Sequence, residues 1–218
     1  RGVTLEERVR RLAADLPEEE RVRAAAAVGP LARFLSFLLE KNAAMNLVSA
    51  RSAAPGVLVG THLSDALLGL AGAAGGRGRP IRLLDLGSGG GFPAIPLLLV
   101  RTDLEGTLVE SSGKKAAYLR EVLLRLALTA RVVNARFPDS FPMGGNPRYD
   151  VLTTRAVASA GRLVRAARPL LSPGAKALLW TSEPLAAEAA RTSGAAQSTF
   201  RRAPGAERRG ILSLECFT

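Results

Sequence analysis

The amino-acid sequence predicts an α/β fold, with a seven-stranded, mostly parallel sheet preceded by a helical extension. Three observations carry this. From Pro80 onward, short β-branched and leucine-rich runs alternate with helical patterns, as in parallel βαβ units. Up to about residue 70 the apolar residues keep a helical spacing instead. A glycine-rich turn follows the first strand candidate, which is where open parallel sheets hold their ligands.

Taken in order, Thr4-Leu5-Glu6-Glu7 reads as a capping box, and Leu5, Val9, Leu12 and Leu16 then fall on one helical face. Pro30 suits the first turn of a second helix, whose stripe of Leu31, Phe34, Leu35, Leu38 and Leu39 ends near Asn42. Leu63, Leu67 and Leu70 suggest a third, shorter helix, and the Gly/Ala/Arg-rich stretch 71–80 reads as a linker. The chain therefore divides into a helical region with its linker, 1–79, and a sheet-containing domain, 80–218. Strands are expected at 81–86, 106–110, 131–134, 149–153 and 176–180, with helices at 93–100, 114–126 and 162–171. Two last runs, 198–202 and 211–217, flank the Pro204-Gly205 turn signal and read as a closing antiparallel pair.

A chain of 218 residues buries one large core and has room for a small accessory region. Its 30 basic and 19 acidic residues give a net charge of +11, a field attractive to a polyanion such as nucleic acid. Only four of the basic residues are lysine, a bias that GC-rich coding also produces, so charge alone does not define a partner. The single cysteine, Cys216, excludes an internal disulfide framework and favours a reducing compartment. No apolar run reaches the roughly 18 residues that span a bilayer, and the N-terminal stretch lacks a signal-peptide layout. No Cys/His set has metal-ligand spacing. A cytoplasmic protein without metal or membrane association, working as a monomer, is the expectation.

The chemistry centres on Asp85-Leu86-Gly87-Ser88-Gly89-Gly90-Gly91-Phe92, which follows a strand and precedes Pro93 at a helix start. Glycines there let the backbone approach a ligand closely. The next strand ends in Val109-Glu110, where a carboxylate is placed to accept hydrogen bonds from both hydroxyls of a ribose. Gly89-x-Gly91-x-x-Ala94 also satisfies the looser dinucleotide fingerprint, so an NAD-dependent oxidoreductase is one reading. S-adenosylmethionine is favoured by Asp85, two positions before the first glycine and within reach of an amino group, and by Pro93, which removes an amide that a pyrophosphate would use.

The segments DLGSGGGFPAIPL, TLVESSGKKAAYLREV and TTRAVAS resemble, in order and spacing, the ribosomal RNA small subunit methyltransferase G family, and KNAAMNLVSAR and THLSDAL resemble two further segments of it. The resemblance runs from about Lys41 to Pro173. It implies a Rossmann-like class I methyltransferase that transfers a methyl group from S-adenosylmethionine to N7 of a guanine in 16S rRNA, as free RNA or in the small ribosomal subunit. It also implies cofactor contacts at Asp85, Gly87, Gly89 and Phe92, at Glu110 on the ribose, at Arg136 and Phe137 near the adenine, and at Arg155 beside the methyl-transfer centre, where Arg155 is the catalytic candidate. Two departures stand out. The family's Arg-Ala-Glu is here Arg136-Phe137-Pro138, and its Leu-Lys-Gly is Trp180-Thr181-Ser182.

The remaining candidates divide between structure and function. His62, the only histidine, reads as a packing residue or a substrate contact; Asn46 as a turn or cap; Lys114 and Lys115 as a solvated helix start or an RNA contact; Trp180 as core or as a cover for the site; Cys216 as core. Arg131, Arg136, Arg148, Arg155, Arg162, Arg165 and Arg168 face only Asp139 and Asp150 in sequence, which predicts a basic RNA-facing surface. A non-catalytic RNA-binding module explains that charge but not the conjunction of Asp85, the glycines and Glu110.

Overall fold

Ile81–Leu86 (β1) lies at the middle of the sheet because all of its residues except Arg82 are buried, as a strand covered by helices on both faces requires. The computed structural model describes residues 2–73, 79–143, 148–155, 157 and 159–215. Leu104–Glu110 (β2), Ala130–Asn134 (β3), Tyr149–Arg155 (β4) and Leu171–Ser182 (β5) continue the sheet in parallel. Gln197–Arg202 (β6) and Arg209–Glu215 (β7) close it as an antiparallel pair, with β7 against β5. The order β3-β2-β1-β4-β5-β7-β6 is the predicted seven-stranded, mostly parallel sheet. Strand order reverses between β1 and β4, so the C-terminal ends of these strands flank the switch point where open sheets bind ligands.

The helices are Leu5–Ala14 (α1), Glu18–Ala26 (α2), Val28–Met45 (α3), Pro55–Val57 (α4), Ser64–Leu67 (α5), Ala94–Val100 (α6), Gly113–Arg125 (α7), Ala160–Ala167 (α8) and Glu183–Ser193 (α9). A π-helical turn, Leu58–Leu63, joins α4 to α5. Alternation along the strands sends Leu83, Leu108 and Leu178 to one face, where they share a core with Leu35 and Leu38 of α3 and Leu119 of α7. Leu84, Val109 and Leu179 go to the other, against Val164 of α8 and Ala186 of α9. The N-terminal helices thus cover one sheet face and bury their apolar stripes in the same core as the strands.

Local signals explain most boundaries. The capping box at Thr4 forms, with the Glu7 amide donating to Thr4 Oγ1 (3.2 Å) and the Thr4 amide donating to Glu7 Oε2 (2.8 Å). Asn46 is a cap, ending α3 in the left-handed region at φ 49°. Three helices are absent from the sequence reading: α2, the single turn α4, and α9. In α2 only Ala24 is buried, so it has almost no apolar stripe, and Leu16, expected on the first helix, lies beyond its end. In α9 the buried residues are Ala186, Ala189 and Ser193, too small to register as an apolar face. They are small because α8 comes very close, and a side chain at Gly161 would run into Thr192 and the Ala189 backbone. The helix expected over 162–171 ends at Ala167, and Leu171 already belongs to β5. The end of the expected closing strand, with Cys216, lies outside the described residues. Among the described residues no single helix is long and apolar enough to cross a membrane; the bent pair α2–α3 passes that test, but α3 buries Leu31, Leu35 and Leu38 inside the protein.

Candidate active site

The turn after β1 holds its shape through glycine. Gly91, at φ 95°, could not carry a side chain: its Cβ would lie 2.7 Å from Ile95 Cγ1 and 3.3 Å from the Phe34 ring. Gly87, at φ 77°, has open space instead, for only Val157 Cγ2, 3.7 Å away, would meet an added Cβ. The amides of Gly87 and Ser88 donate to the Val109 carbonyl (2.9 and 3.1 Å) and tie the loop to β2. The Gly89 amide donates to Glu110 Oε2 (2.9 Å) and the Ser112 amide to Glu110 Oε1 (2.7 Å). The fold therefore brings Asp85, Gly87, Gly89 and Glu110 together at adjoining strand ends.

These residues suit S-adenosylmethionine on three counts. A carboxylate has about four acceptor positions, and the two amides occupy half of those on Glu110, leaving capacity for ribose hydroxyls. Asp85 is buried; Thr153 Oγ1 donates to its Oδ1 (2.6 Å), while Oδ2 is buried with no partner among the described residues. Burial pushes the Asp85 carboxyl up to about 6, opposed by the Ser88 and Thr153 hydrogen bonds and reinforced by the nearby charge of Glu110. An ammonium group beside Oδ2 would supply both the missing donor and the missing charge. The space above Gly87 is the third.

Phe92, at 6% exposure, continues the loop into a cluster with Phe34 (ring centroids 5.2 Å apart) and His62 (5.5 Å). Burial pulls His62 down to about 4, with Arg155 and Arg209 adding to the effect, so the ring is neutral at physiological pH. The Arg155 guanidinium lies 5.9 Å from the centre of the Phe92 ring, and its Nη2 is 3.9 Å from Asp65 Oδ2. Arg136 and Phe137 follow β3, whose last residue, Asn134, donates from Nδ2 to the Glu110 carbonyl (2.8 Å). The Arg136 amide donates to Ser140 Oγ, its side chain is exposed, and Phe137 packs edge-on against Phe141. Among the described residues no hydrogen bond joins this pair to the glycine loop.

Beside Arg155 opens a cleft of about 740 Å³, within the range of small-molecule and nucleotide sites, bordered by Asp65, Val157, Trp180, Leu185 and Arg209. A comparable groove of about 750 Å³ between α1, α3 and α7 is lined by residues such as Phe37, Glu40 and Arg125 and includes no residue of the glycine loop or of the strand ends around it. Trp180 is buried and its indole N–H donates to the Asp65 carbonyl (2.6 Å), joining β5 to α5. Sequence reasoning did not single out Asp65 or Arg209. Asp65 had a signal, its place in the THLSDAL segment, whereas Arg209 sits after a turn with no motif. The expected basic surface is also redrawn. Arg131 bonds to Thr107 and Tyr149, and Arg148 to the Leu171 carbonyl, both near the N-terminal ends of the strands and so at the opposite sheet edge from Glu110 and Arg155.

This sheet order, with a glycine loop and two carboxylates at the switch point, is the architecture of class I S-adenosylmethionine-dependent methyltransferases. Solved structures share it: a methyltransferase from Pyrococcus furiosus (TM-score 0.61, 17% identity, 86% of this chain and 98% of that one). An S-adenosylmethionine-dependent methyltransferase from Aquifex aeolicus is also similar (TM-score 0.58, 14% identity, 71% of this chain and 91% of that one). At these identities the likeness speaks to fold alone. The family model for rRNA small subunit methyltransferase G matches residues 28–202, and the chain belongs to that family. Proteins named ribosomal RNA small subunit methyltransferase G from Xanthomonas axonopodis pv. citri (39% identical over 155 residues, 71% of this chain and 68% of the relative) and Stenotrophomonas maltophilia (40% over 151 residues, 69% and 66%) are among its relatives. The alignments span about two thirds of each relative's length. Membership in a methyltransferase family sets aside the oxidoreductase and the non-catalytic RNA-binding module.

Proposed function

We propose that this chain transfers the methyl group of S-adenosylmethionine to N7 of a guanine in 16S rRNA, acting in the cytoplasm as a monomer without a metal. The observation that carries this reading is the glycine loop with Asp85 and Glu110 at the switch point, in a chain of this family. Residues 80–218 serve as the methyltransferase domain, and 1–79 as a helical region that closes the cleft and contacts RNA. Asp85, Gly87 and Gly89 receive the methionine end of the cofactor and Glu110 its ribose, while Phe92 forms the wall behind it and Arg136 and Phe137 border the adenine.

When bound, the cofactor supplies an electrophilic methyl group on a sulfonium sulfur. Guanine N7 is an acceptor at the base edge and carries no proton, so the chain needs no general base. Its residues have to align N7 with the methyl group and exclude water, and in this reading Arg155 donates to O6 of the base or to a neighbouring phosphate.

If Glu110 holds the ribose, Glu110→Ala should weaken cofactor binding by about 1.5–3 kcal/mol, the scale of a hydrogen bond to a charged group, and Glu110→Gln by less. Titration calorimetry reads this directly, and native affinity in Glu110→Ala would assign the ribose elsewhere.

The reaction itself is tested by single-turnover methyl transfer to naked 16S rRNA and to the small subunit, with the modified atom mapped. No proton leaves N7, and His62, titrating near 4, stays neutral throughout. At saturating RNA and cofactor the rate should therefore be flat between about pH 7 and 9, in the native enzyme and in His62→Gln alike. A log-linear rise with pH that vanishes in His62→Gln would make His62 a base, and the target a protonated nitrogen or a hydroxyl.

A further inference from the structure

Arg209, the first residue of β7, pairs in register with Ser182 at the end of β5, and so reaches the same sheet edge as Arg155, which pairs with Trp180. Its Nε lies 3.0 Å from Asp65 Oδ2, the oxygen that Arg155 Nη2 approaches at 3.9 Å. Asp65 is only 3% exposed and its carbonyl is held by Trp180, so the carboxylate is a fixed post between two guanidiniums. The Arg209 side chain is 47% exposed, and among the described residues this is its one ion pair.

Of the nearby arginines, Arg202 pairs with Glu183 (2.8 Å) and Arg201 donates to the Leu68 carbonyl, whereas the exposed Arg208 lines the cleft without contacting Asp65 among the described residues. The charged residues lining the cleft are Arg155, Arg208 and Arg209 against Asp65 and Glu207, an excess of one positive charge. A guanidinium offers five donors in a planar fork, and one taken by Asp65 leaves the terminal nitrogens for a bidentate partner. Phosphate is the anion that this fork matches and that an RNA substrate carries.

We propose that Arg209, steadied by Asp65, grips a backbone phosphate of the RNA beside the nucleotide being methylated, which makes this cleft the seat of the target nucleotide. The proposal rests on the RNA methyl-transfer reading above. Asp65 acts as a positioning residue, setting Arg209 at the mouth and Arg155 further in.

The test compares the native enzyme with Arg209→Gln, Asp65→Asn and, as a control, Arg191→Gln, which is exposed on α9 outside the cleft. Affinity for a 16S rRNA fragment is measured against salt, together with kcat, KM for RNA and the calorimetric cofactor affinity. Loss of one phosphate contact should lower the slope of log affinity against log salt by about 0.7–0.9, and Arg209→Gln should raise KM for RNA roughly ten-fold, with cofactor affinity and kcat nearly unchanged. Asp65→Asn should raise KM and also lower kcat, because Arg155 loses the same post; Arg191→Gln should match the native enzyme. An active native enzyme whose Arg209→Gln variant keeps the native slope and KM would overturn this inference alone. A folded, cofactor-binding native enzyme that methylates neither form of RNA would overturn the functional reading and this inference with it.

Discussion

Gly87→Val is expected to bind S-adenosylmethionine at least about a hundred-fold more weakly than the native chain, close to 2.7 kcal/mol on the usual conversion. Two independent effects contribute, and the structure separates them. A branched side chain would fill the open space above the turn, where only Val157 approaches. In addition Gly87 sits at φ 77°, and a β-branched residue forced into the left-handed region costs about 1–2 kcal/mol of stability. From sequence alone the expectation is a lost ligand with an intact fold; the positive φ adds a moderate loss of stability. Gly174 supplies the control. It has nearly the same φ, 75°, nothing within 4 Å of an added Cβ, and a position in β5 at the other end of that strand. Gly174→Val should lose a similar amount of stability in thermal unfolding and keep its cofactor affinity. Native affinity in a folded Gly87→Val variant would remove the glycine loop from the site.

The parts of this protein that could be read from sequence are those where local chemistry and global packing agree. β1 is legible because burial on both faces makes it a continuous apolar run, and the glycine loop because its backbone conformations admit few other residues. α9 was not legible: alanine carries little apolar signal, and the reason for alanine there is the close approach of α8, a tertiary fact. The candidate site divides in the same way. Asp85 is the penultimate residue of one predicted strand and Glu110 the last of the next, each at a fixed distance from the glycines, so their meeting follows from βαβ geometry. Asp65 and Arg209 are 144 positions apart and meet only because β7 turns back antiparallel beside β5 and brings its first residue over α5. No local pattern encodes that contact. The expected basic surface divides for a related reason: Arg131 and Arg155 belong to one charge pattern in sequence but stand at opposite ends of parallel strands.

Replacing Arg155 with alanine should lower single-turnover methylation by roughly a hundred- to a thousand-fold, while cofactor affinity changes by no more than about three-fold, the signature of a group that acts in the transition state. Arg155 is 17% exposed at the inner end of the cleft, and its Nη1 is buried without a partner among the described residues. An unmet donor in such a place costs about 1–3 kcal/mol unless a ligand uses it or the site relaxes around it. Methyl transfer to N7 moves positive charge from sulfur to the base without creating any, so a cation nearby has little new charge to stabilise. Its value lies in direction: donation to O6 fixes the base plane and so the line from N7 to the methyl carbon, and a displacement of about 1 Å can lower a rate a hundred-fold. Arg155→Lys then becomes the informative variant, because it keeps the charge and loses the planar fork. It should remain at least about ten-fold impaired if orientation is the role, and near-native turnover in Arg155→Lys would point to charge instead. The fold should tolerate both changes, since Arg209 still lies 3.0 Å from Asp65 and the carboxylate keeps a cation beside it. Equal losses of turnover and cofactor affinity in Arg155→Ala would place the side chain in the cofactor's binding shell and leave the orientation of the base to another residue.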